Sequence, residues 1–172
     1  RIIDQVIDGV MSLHEIGYVH RDLKPDNIMI NLRPLRATLI DFDVSMLRVA
    51  QTTGNVRGTP GYYPQRQNLR DGSTTWDVWA VAAIILESDM RPGEYYGVNS
   101  EHASMLKANE HAKEKDTCGV LRYMLQKTML KSEISSMEGL QFIKKQLPNI
   151  NFRKYSGFRV IEEGGELVAR KW

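Results

Sequence analysis

The sequence predicts an α+β fold, mainly α-helical with short β-strands, that is built around one buried central helix. Apolar residues recur at every third or fourth position over residues 2–16, which is typical of a long amphipathic helix, and Gly17 marks its end. Residues 74–87 begin with the capping pair Thr74-Thr75 and are then apolar on nearly every side. A helix without a polar face has to be buried, so we expect this one at the centre of the protein.

Short strands and further helices make up the rest of the predicted fold. Apolar runs predict strands at residues 18–19, 28–30 and 37–40, with a turn at Arg33-Pro34. Helical spacing returns at residues 100–114, 119–130 and 132–147, and Pro148 is expected to end the last helix. Gly164-Gly165 separates two candidate strands of a hairpin, residues 158–161 and 167–169.

Composition limits the class of protein. With 172 residues, of which 42% are hydrophobic and 26% charged, the chain can form one compact domain with a core. A net charge of +2 without a basic, aromatic-rich stripe gives no indication of nucleic-acid binding. The apolar run over residues 78–86 is far shorter than the roughly 20 residues that span a bilayer. Because Cys118 is the only cysteine, we expect no internal disulfide and a reducing, cytoplasmic or nuclear location.

Residues 20–27 read His-Arg-Asp-Leu-Lys-Pro-Asp-Asn and are followed by an apolar run. Lys-Pro-Asp-Asn alone has the composition of an ordinary exposed turn. The whole run resembles the catalytic-loop signature H-R-D-x-x-x-x-N of protein kinases. The resemblance implies that Asp22 orients a substrate hydroxyl and accepts its proton, that Lys24 brings positive charge to the transferred phosphate, and that Asn27 binds Mg²⁺. A lysine at position 24 resembles the serine/threonine branch of the family.

Asp41-Phe42-Asp43 stands where kinases carry their D-F-G motif. The resemblance implies that Asp41 binds Mg²⁺ and that Phe42 packs against His20. Glycine at the third position supplies freedom at positive φ, which an aspartate reaches only at a cost of roughly 1 kcal/mol. Asp43 is therefore expected to be a further metal ligand, a carboxylate that repels the phosphates, or a plain surface residue.

Residues 58–64, Gly-Thr-Pro-Gly-Tyr-Tyr-Pro, resemble the end of a kinase activation segment, in which Thr59 would bond Asp22 and Lys24. The following Gln65-Arg66 departs from the A-P-E pattern, so an ion pair typical of the family is expected to be lost. Residues 44–57 predict a mobile loop. With Arg21 as a phosphate partner, Thr52 or Thr53 would be an activating phosphorylation site, although unmodified hydroxyls explain them equally well.

Three further positions match the family. Asp77 lies in a D-x-W pattern, which implies that its carboxylate holds the backbone of the catalytic loop. Met29 and Ile40 match residues that contact the nucleotide, and plain core packing explains both equally well.

The resemblance implies a protein serine/threonine kinase that uses ATP and Mg²⁺ to phosphorylate protein substrates. Residues 1–150 would form its C-terminal lobe, and residues 151–172 an extension. Neither G-x-G-x-x-G nor V-A-I-K occurs in the sequence, so we expect a partial catalytic domain without the upper lobe. The lower lobe alone would hold ATP weakly. The alternative is a non-catalytic, kinase-like scaffold or interaction module. Three features favour it: Asp43, Gln65-Arg66 and the incomplete ATP site. The sequence does not indicate an oligomeric state.

Overall fold

The computed structural model describes residues 1–47, 58–63, 73–89, 136–149, 158–163 and 166–171. Three α-helices are present in these parts of the chain: α1 (Ile2–Glu15), α2 (Thr74–Asp89) and α3 (Ser136–Gln146). Two 3₁₀ turns occupy Pro25–Asn27 and Leu147–Asn149. The strands are β1 (Tyr18–Val19), β2 (Ile28–Leu32), β3 (Leu35–Leu39), β4 (Met46–Leu47), β5 (Phe158–Glu163) and β6 (Glu166–Lys171).

The strands form three antiparallel pairs: β1 with β4, β2 with β3, and β5 with β6. In the β2–β3 hairpin, Ile28 lies opposite Leu39 and Leu32 opposite Leu35. The side chain of Gln5 on α1 bonds the backbone of β3 twice, because its Nε2 donates to Leu35 O (3.2 Å) and its Oε1 accepts from Ala37 N (2.8 Å). Helix α1 therefore holds strand β3 of the hairpin in place.

Helix α2 is the centre of the core. Its side chains are buried from Trp76 to Ile85, as a helix without a polar face requires. Helices α1 and α3 both contact it and each other. The apolar stripe of α1 supplies Val6, Ile7 and Val10 to the core, and α3 supplies Leu140 and Ile143.

The predicted fold agrees with the structure in its mixture of helices and short strands. Helices α1 and α2 are confirmed, and Gly17 follows α1 with a φ of +84°. The hairpin predicted near the C-terminus is also confirmed. Strand β3 begins two residues earlier than predicted and ends before Ile40. Helix α3 is found within the predicted range of residues 132–147, and the helices predicted at 100–114 and 119–130 lie outside the described residues.

Strand β4 was not predicted, because residues 44–57 were assigned entirely to a loop. Met46 and Leu47 pair with Val19 and Tyr18. The two-residue strand exists only through this distant partner and leaves no periodic pattern in the sequence. The pairing fixes the chain after residue 45 beside the segment that leads into residues 20–27.

The importance of α2 for the core gives a stability prediction. Ile85 is 0% exposed, whereas Ile16 is 69% exposed. Ile85→Ala should lower the free energy of unfolding by about 2–5 kcal/mol, because it leaves a cavity at the centre of the core. The same substitution at Ile16 should cost less than about 0.5 kcal/mol. Denaturant titration of both variants checks this, and equal losses would contradict the central position of α2.

Candidate active site

Asp77 on α2 holds the start of the loop formed by residues 20–27. Its carboxylate, which is 1% exposed, accepts hydrogen bonds from the backbone N–H groups of His20 (2.8 Å, to Oδ2) and Arg21 (2.9 Å, to Oδ1). Oδ2 also lies 2.8 Å from His14 Nε2 on α1. A buried carboxylate is tolerated only when donors surround it, and here the backbone of the loop supplies two of them.

His20 connects this loop to the segment that carries Asp41. Its ring is fully buried, and its Nδ1 accepts a hydrogen bond from Asp22 N (3.4 Å). The ring proton therefore belongs on Nε2, which donates to Ile40 O (3.1 Å). Phe42 packs against the same ring, with centroids 5.0 Å apart and planes at 46°. One imidazole thus fixes residues 40–42 beside residue 22.

Asn27 makes the second connection between the two segments. Its Nδ2 donates to the backbone oxygen of Asp22 (2.8 Å) and to Asp22 Oδ2 (3.2 Å). Its own backbone oxygen accepts from Ile40 N (3.0 Å). Asn27 therefore connects the two segments. Its side chain bonds Asp22, and its backbone oxygen bonds Ile40, the residue before Asp41.

Asp22, Lys24 and Thr59 form a closed triangle of polar contacts. Thr59 Oγ1 donates to Asp22 Oδ1 (2.6 Å) and accepts from Lys24 Nζ (2.9 Å). Lys24 Nζ also lies 3.0 Å from Asp22 Oδ2. The side chains of Asp22 and Lys24 are 14% and 22% exposed, so both remain accessible at the surface. The triangle joins residues that lie 35 and 37 positions apart in the chain.

Residues 58–63, which we call the Thr59 loop, are fastened to α2 at three points. Trp79 Nε1 donates to Gly61 O (3.3 Å), Tyr62 OH donates to Glu87 Oε2 (2.5 Å), and the ring of Tyr63 stacks on Trp76 with centroids 5.2 Å apart and planes at 13°. Gly58 has a φ of +131°, and a Cβ there would lie 2.7 Å from Arg21 O. The close approach of the Thr59 loop to residue 21 therefore requires glycine at position 58.

The segment after Asp41 turns back towards the same loop. Ser45 N donates to Phe42 O (3.0 Å), Ser45 Oγ donates to His20 O (3.1 Å), and Arg21 Nη1 donates to Val44 O (3.2 Å). Asp41 has a φ of +63°, and its side chain is exposed. Asp41 and Arg21 are the non-glycine residues with positive φ in the described part of the chain, so the predicted strain at Asp43 is wrong. Asp43 is exposed and occupies a turn.

The two residues predicted to contact the nucleotide lie at the β2–β3 hairpin that follows this loop. Met29 lies on β2 with 59% of its surface exposed, and Ile40 is partly buried. Thr52, Thr53, Gln65 and Arg66 lie outside the described residues. Sequence reasoning missed His14, Trp76 and Glu87. His14 and Trp76 follow helical spacing like any core residue, and Glu87 reads as the polar end of a helix, so the pattern contained no signal for their contacts.

Glu87 is the carboxyl group at the site with a shifted pKa. Burial raises the pKa of Glu87 because the charged form loses solvent; the hydrogen bond from Tyr62 partly offsets this, and the negative charge of Asp26 raises the pKa further.

Within the described residues, no group of three or more His, Cys, Asp or Glu side chains is arranged to hold a metal ion. No helix in those parts of the chain has the length and apolar character needed to cross a membrane.

The contacts of Asp77 give a second prediction. Asp77→Ala should lower the free energy of unfolding by roughly 2–5 kcal/mol, because it leaves two backbone N–H groups and a histidine nitrogen buried without an acceptor. Asp4→Asn changes a side chain on α1 that is 44% exposed and lies 3.7 Å from Lys144 Nζ, and it should cost less than about 1 kcal/mol. Urea denaturation measures both, and Asp77→Ala losing no more stability than Asp4→Asn would contradict this role.

The raised pKa of Glu87 gives a pH prediction. Between the ordinary glutamate pKa of 4.5 and the raised one, the folded state binds more protons than the unfolded state, so this group's contribution to stability falls as pH rises. The free energy of unfolding of the wild type, relative to Glu87→Gln, should therefore fall as pH rises above 4.5. Tyr62→Phe should extend this fall to higher pH, since the bond that lowers the pKa is lost. Denaturant titrations over this pH range check the slope, and a flat or rising difference would contradict it.

Comparison with known proteins agrees with this geometry. The family model described as the protein kinase domain matches residues 1–157. Calcium/calmodulin-dependent protein kinase type 1B of Rattus norvegicus is 34% identical over 86 residues, which cover 48% of this chain and 25% of that protein. MAP kinase kinase MKK1/SSP32 of Saccharomyces cerevisiae is 38% identical over 88 residues, 51% of this chain and 17% of that protein. The chain thus spans about a quarter or less of the length of these relatives. It belongs to the protein kinase domain family.

Proposed function

We propose that this chain carries the catalytic loop of a serine/threonine kinase, which transfers the terminal phosphoryl group of ATP to hydroxyls of protein substrates with the help of Mg²⁺. The observation that supports this best is the triangle of Asp22, Lys24 and Thr59, with Asn27 bonded to the same carboxylate. A base, a cation and an amide meet where phosphoryl transfer needs positioning and charge stabilisation. The kinase family and the names of the relatives support phosphoryl transfer to proteins in general.

The hydrogen bonds of Asp22 leave one place for a substrate hydroxyl. A carboxylate offers about four lone-pair positions on its two oxygens. Oδ2 faces Asn27 Nδ2 and Lys24 Nζ, whereas Oδ1 accepts from Thr59. The remaining position on Oδ1 can accept the proton of a serine or threonine hydroxyl. The ammonium of Lys24, 3.0 Å from the carboxylate, would then face the phosphoryl group that this hydroxyl attacks.

The residues present fit a magnesium–nucleotide complex. Asn27 Nδ2 donates to two oxygens of Asp22, which leaves the side-chain oxygen as the amide atom that would bind a cation. Asp41 is exposed next to Ile40, whose N–H bonds the backbone of Asn27. One amide and one carboxylate suit Mg²⁺, which takes few protein ligands when substrate phosphates complete its coordination. Bound Mg²⁺ would neutralise phosphate charge, and Met29 and Ile40 would contact the nucleotide.

We further propose that residues 1–150 form the C-terminal lobe of the kinase domain and that residues 151–172 are an extension containing the β5–β6 hairpin. The buried helix α2, with Asp77 bonded to the loop above it, supports this assignment. Serine/threonine specificity is supported by Lys24 and Thr59, which bond each other and Asp22. A probable serine/threonine-protein kinase of Dictyostelium discoideum is 30% identical over 95 residues, 48% of this chain and 19% of that protein.

Substitution of Asp22 tests the proposed activity. Asp22→Asn should lower the rate of labelled phosphate transfer from ATP to serine and threonine peptides by about 10²–10⁴-fold, because the amide cannot accept the hydroxyl proton. Its amide oxygen can still accept from Thr59, whereas its NH₂ group replaces the acceptor that Lys24 and Asn27 bond. Asp4→Asn on α1 is the matched control and should transfer at the wild-type rate. The complete protein is assayed with serine, threonine and tyrosine peptides.

Two results would contradict the proposal. Two outcomes would favour the alternative of a non-catalytic scaffold: the wild-type protein transfers no label, or the rate of transfer is not lowered by Asp22→Asn. Label found on tyrosine instead of serine or threonine would contradict the proposed specificity while leaving phosphoryl transfer in place.

A further inference from the structure

We infer that Trp76 is a positioning residue for the proposed transfer reaction: its stack with Tyr63 holds Thr59 against Asp22 and Lys24. The inference rests on the proposed function and adds a residue that the catalytic motifs do not include. Trp76 stacks on Tyr63 and its Nε1 has no hydrogen bond to the proposed reacting groups, so its effect would pass through the Thr59 loop.

Helix α2 uses neighbouring residues to hold two different loops. Asp77 bonds the backbone of His20 and Arg21, and Trp76 stacks on Tyr63. Successive side chains of a helix point about 100° apart, so one rigid turn can hold both loops at a fixed separation. That separation decides whether Thr59 Oγ1 reaches Asp22 Oδ1 at 2.6 Å.

The ring of Tyr63 lies between Trp76 and the position of Gly58. One face stacks on Trp76, and its Cδ1 would lie 3.3 Å from a Cβ at Gly58, the residue before Thr59. Tyr62 N donates to Thr59 O (3.1 Å), which closes the Thr59 loop into a turn. Trp79 and Glu87 hold Gly61 and Tyr62, which follow Thr59. The stacked ring lies beside residue 58, so the residues on both sides of Thr59 adjoin groups that α2 holds in place.

The indole ring, and not its N–H group, makes this contact. Trp76 is 3% exposed, and its Nε1 is buried without a hydrogen-bond partner. A buried donor without an acceptor lowers stability, and phenylalanine would avoid that penalty while keeping an aromatic face. A site that needed only a buried apolar side chain would accept leucine as readily as phenylalanine. The two substitutions therefore separate stacking from simple burial.

Kinetics of three variants test the inference. Trp76→Leu should lower kcat about tenfold and leave KM for ATP within about twofold, because a small misplacement of a reacting group costs rate and not nucleotide binding. Trp76→Phe should stay within about twofold of the wild type in both constants. In a Thr59→Val background, Trp76→Leu should cause less than about twofold further loss, since the contact through which it acts is already gone. Equal losses for Leu and Phe, or the full tenfold loss in the Thr59→Val background, would overturn the inference.

Amide exchange gives a readout that does not depend on activity. The N–H of Tyr62 bonds Thr59 O, and the N–H of Arg21 bonds Asp77. Trp76→Leu should speed hydrogen exchange at Tyr62 and leave exchange at Arg21 unchanged, whereas Trp76→Phe should change neither. If Trp76→Leu does not fold, Tyr63→Leu removes the same stack from its partly exposed side, with Tyr63→Phe as its control.

The two readouts separate the possible failures. If the wild-type protein shows no phosphate transfer that depends on Asp22, the proposed function is refuted. Hydrogen exchange at Tyr62 would then still show whether the stack positions the loop. Unchanged exchange at Tyr62 in both leucine variants would overturn the inference even if transfer is normal.

Discussion

The buried carboxylate of Asp77 is the interaction on which the rest of the site depends. It lies on a helix whose neighbouring side chains are apolar, and it bonds the backbone of His20 and Arg21. An apolar residue in its place would avoid the desolvation cost of a buried charge. It would also leave two backbone N–H groups and His14 Nε2 buried without their acceptor, so the substitution is expected to lower stability. The carboxylate therefore both stabilises the loop and specifies its conformation.

Two positions of backbone strain show why such anchoring is needed. Arg21 and Asp41 have φ values of +73° and +63°, which side chains other than glycine seldom adopt. Strained residues persist when surrounding contacts determine their conformation. The N–H of Arg21 bonds Asp77. Both neighbours of Asp41 are held: Ile40 bonds His20 and Asn27, and Phe42 packs on the ring of His20. Both strained residues thus adjoin the imidazole of His20, which joins the two segments.

The sequence predicted the parts of this arrangement that leave a local pattern. Helices α1 and α2 have clear apolar spacing, and the motif around Asp22 has a fixed order of residue types. The expected strain at position 43 was wrong, since the left-handed residue is Asp41, and a motif does not reveal which of its residues bends the chain. Strand β4 and the contacts of Trp76 and Glu87 were missed because they arise between distant segments. Spacing along one element carries no information about which loop its side chains will meet.

Charge at the site gives a reason for a cation there that is independent of the motifs. The described residues here include three carboxylates, those of Asp22, Asp41 and Asp43, and two cations: Lys24, which bonds Asp22, and Arg21, whose guanidinium bonds Val44 O. An ATP polyphosphate brought to this place would add further negative charge and be repelled at short range. Lys24 is already bonded to Asp22 and Thr59, so it can offset only part of that charge. A divalent cation held by Asn27 and Asp41 would reverse the balance, so under the proposed function the exposed carboxylate of Asp41 would favour nucleotide binding with Mg²⁺ and oppose it without Mg²⁺.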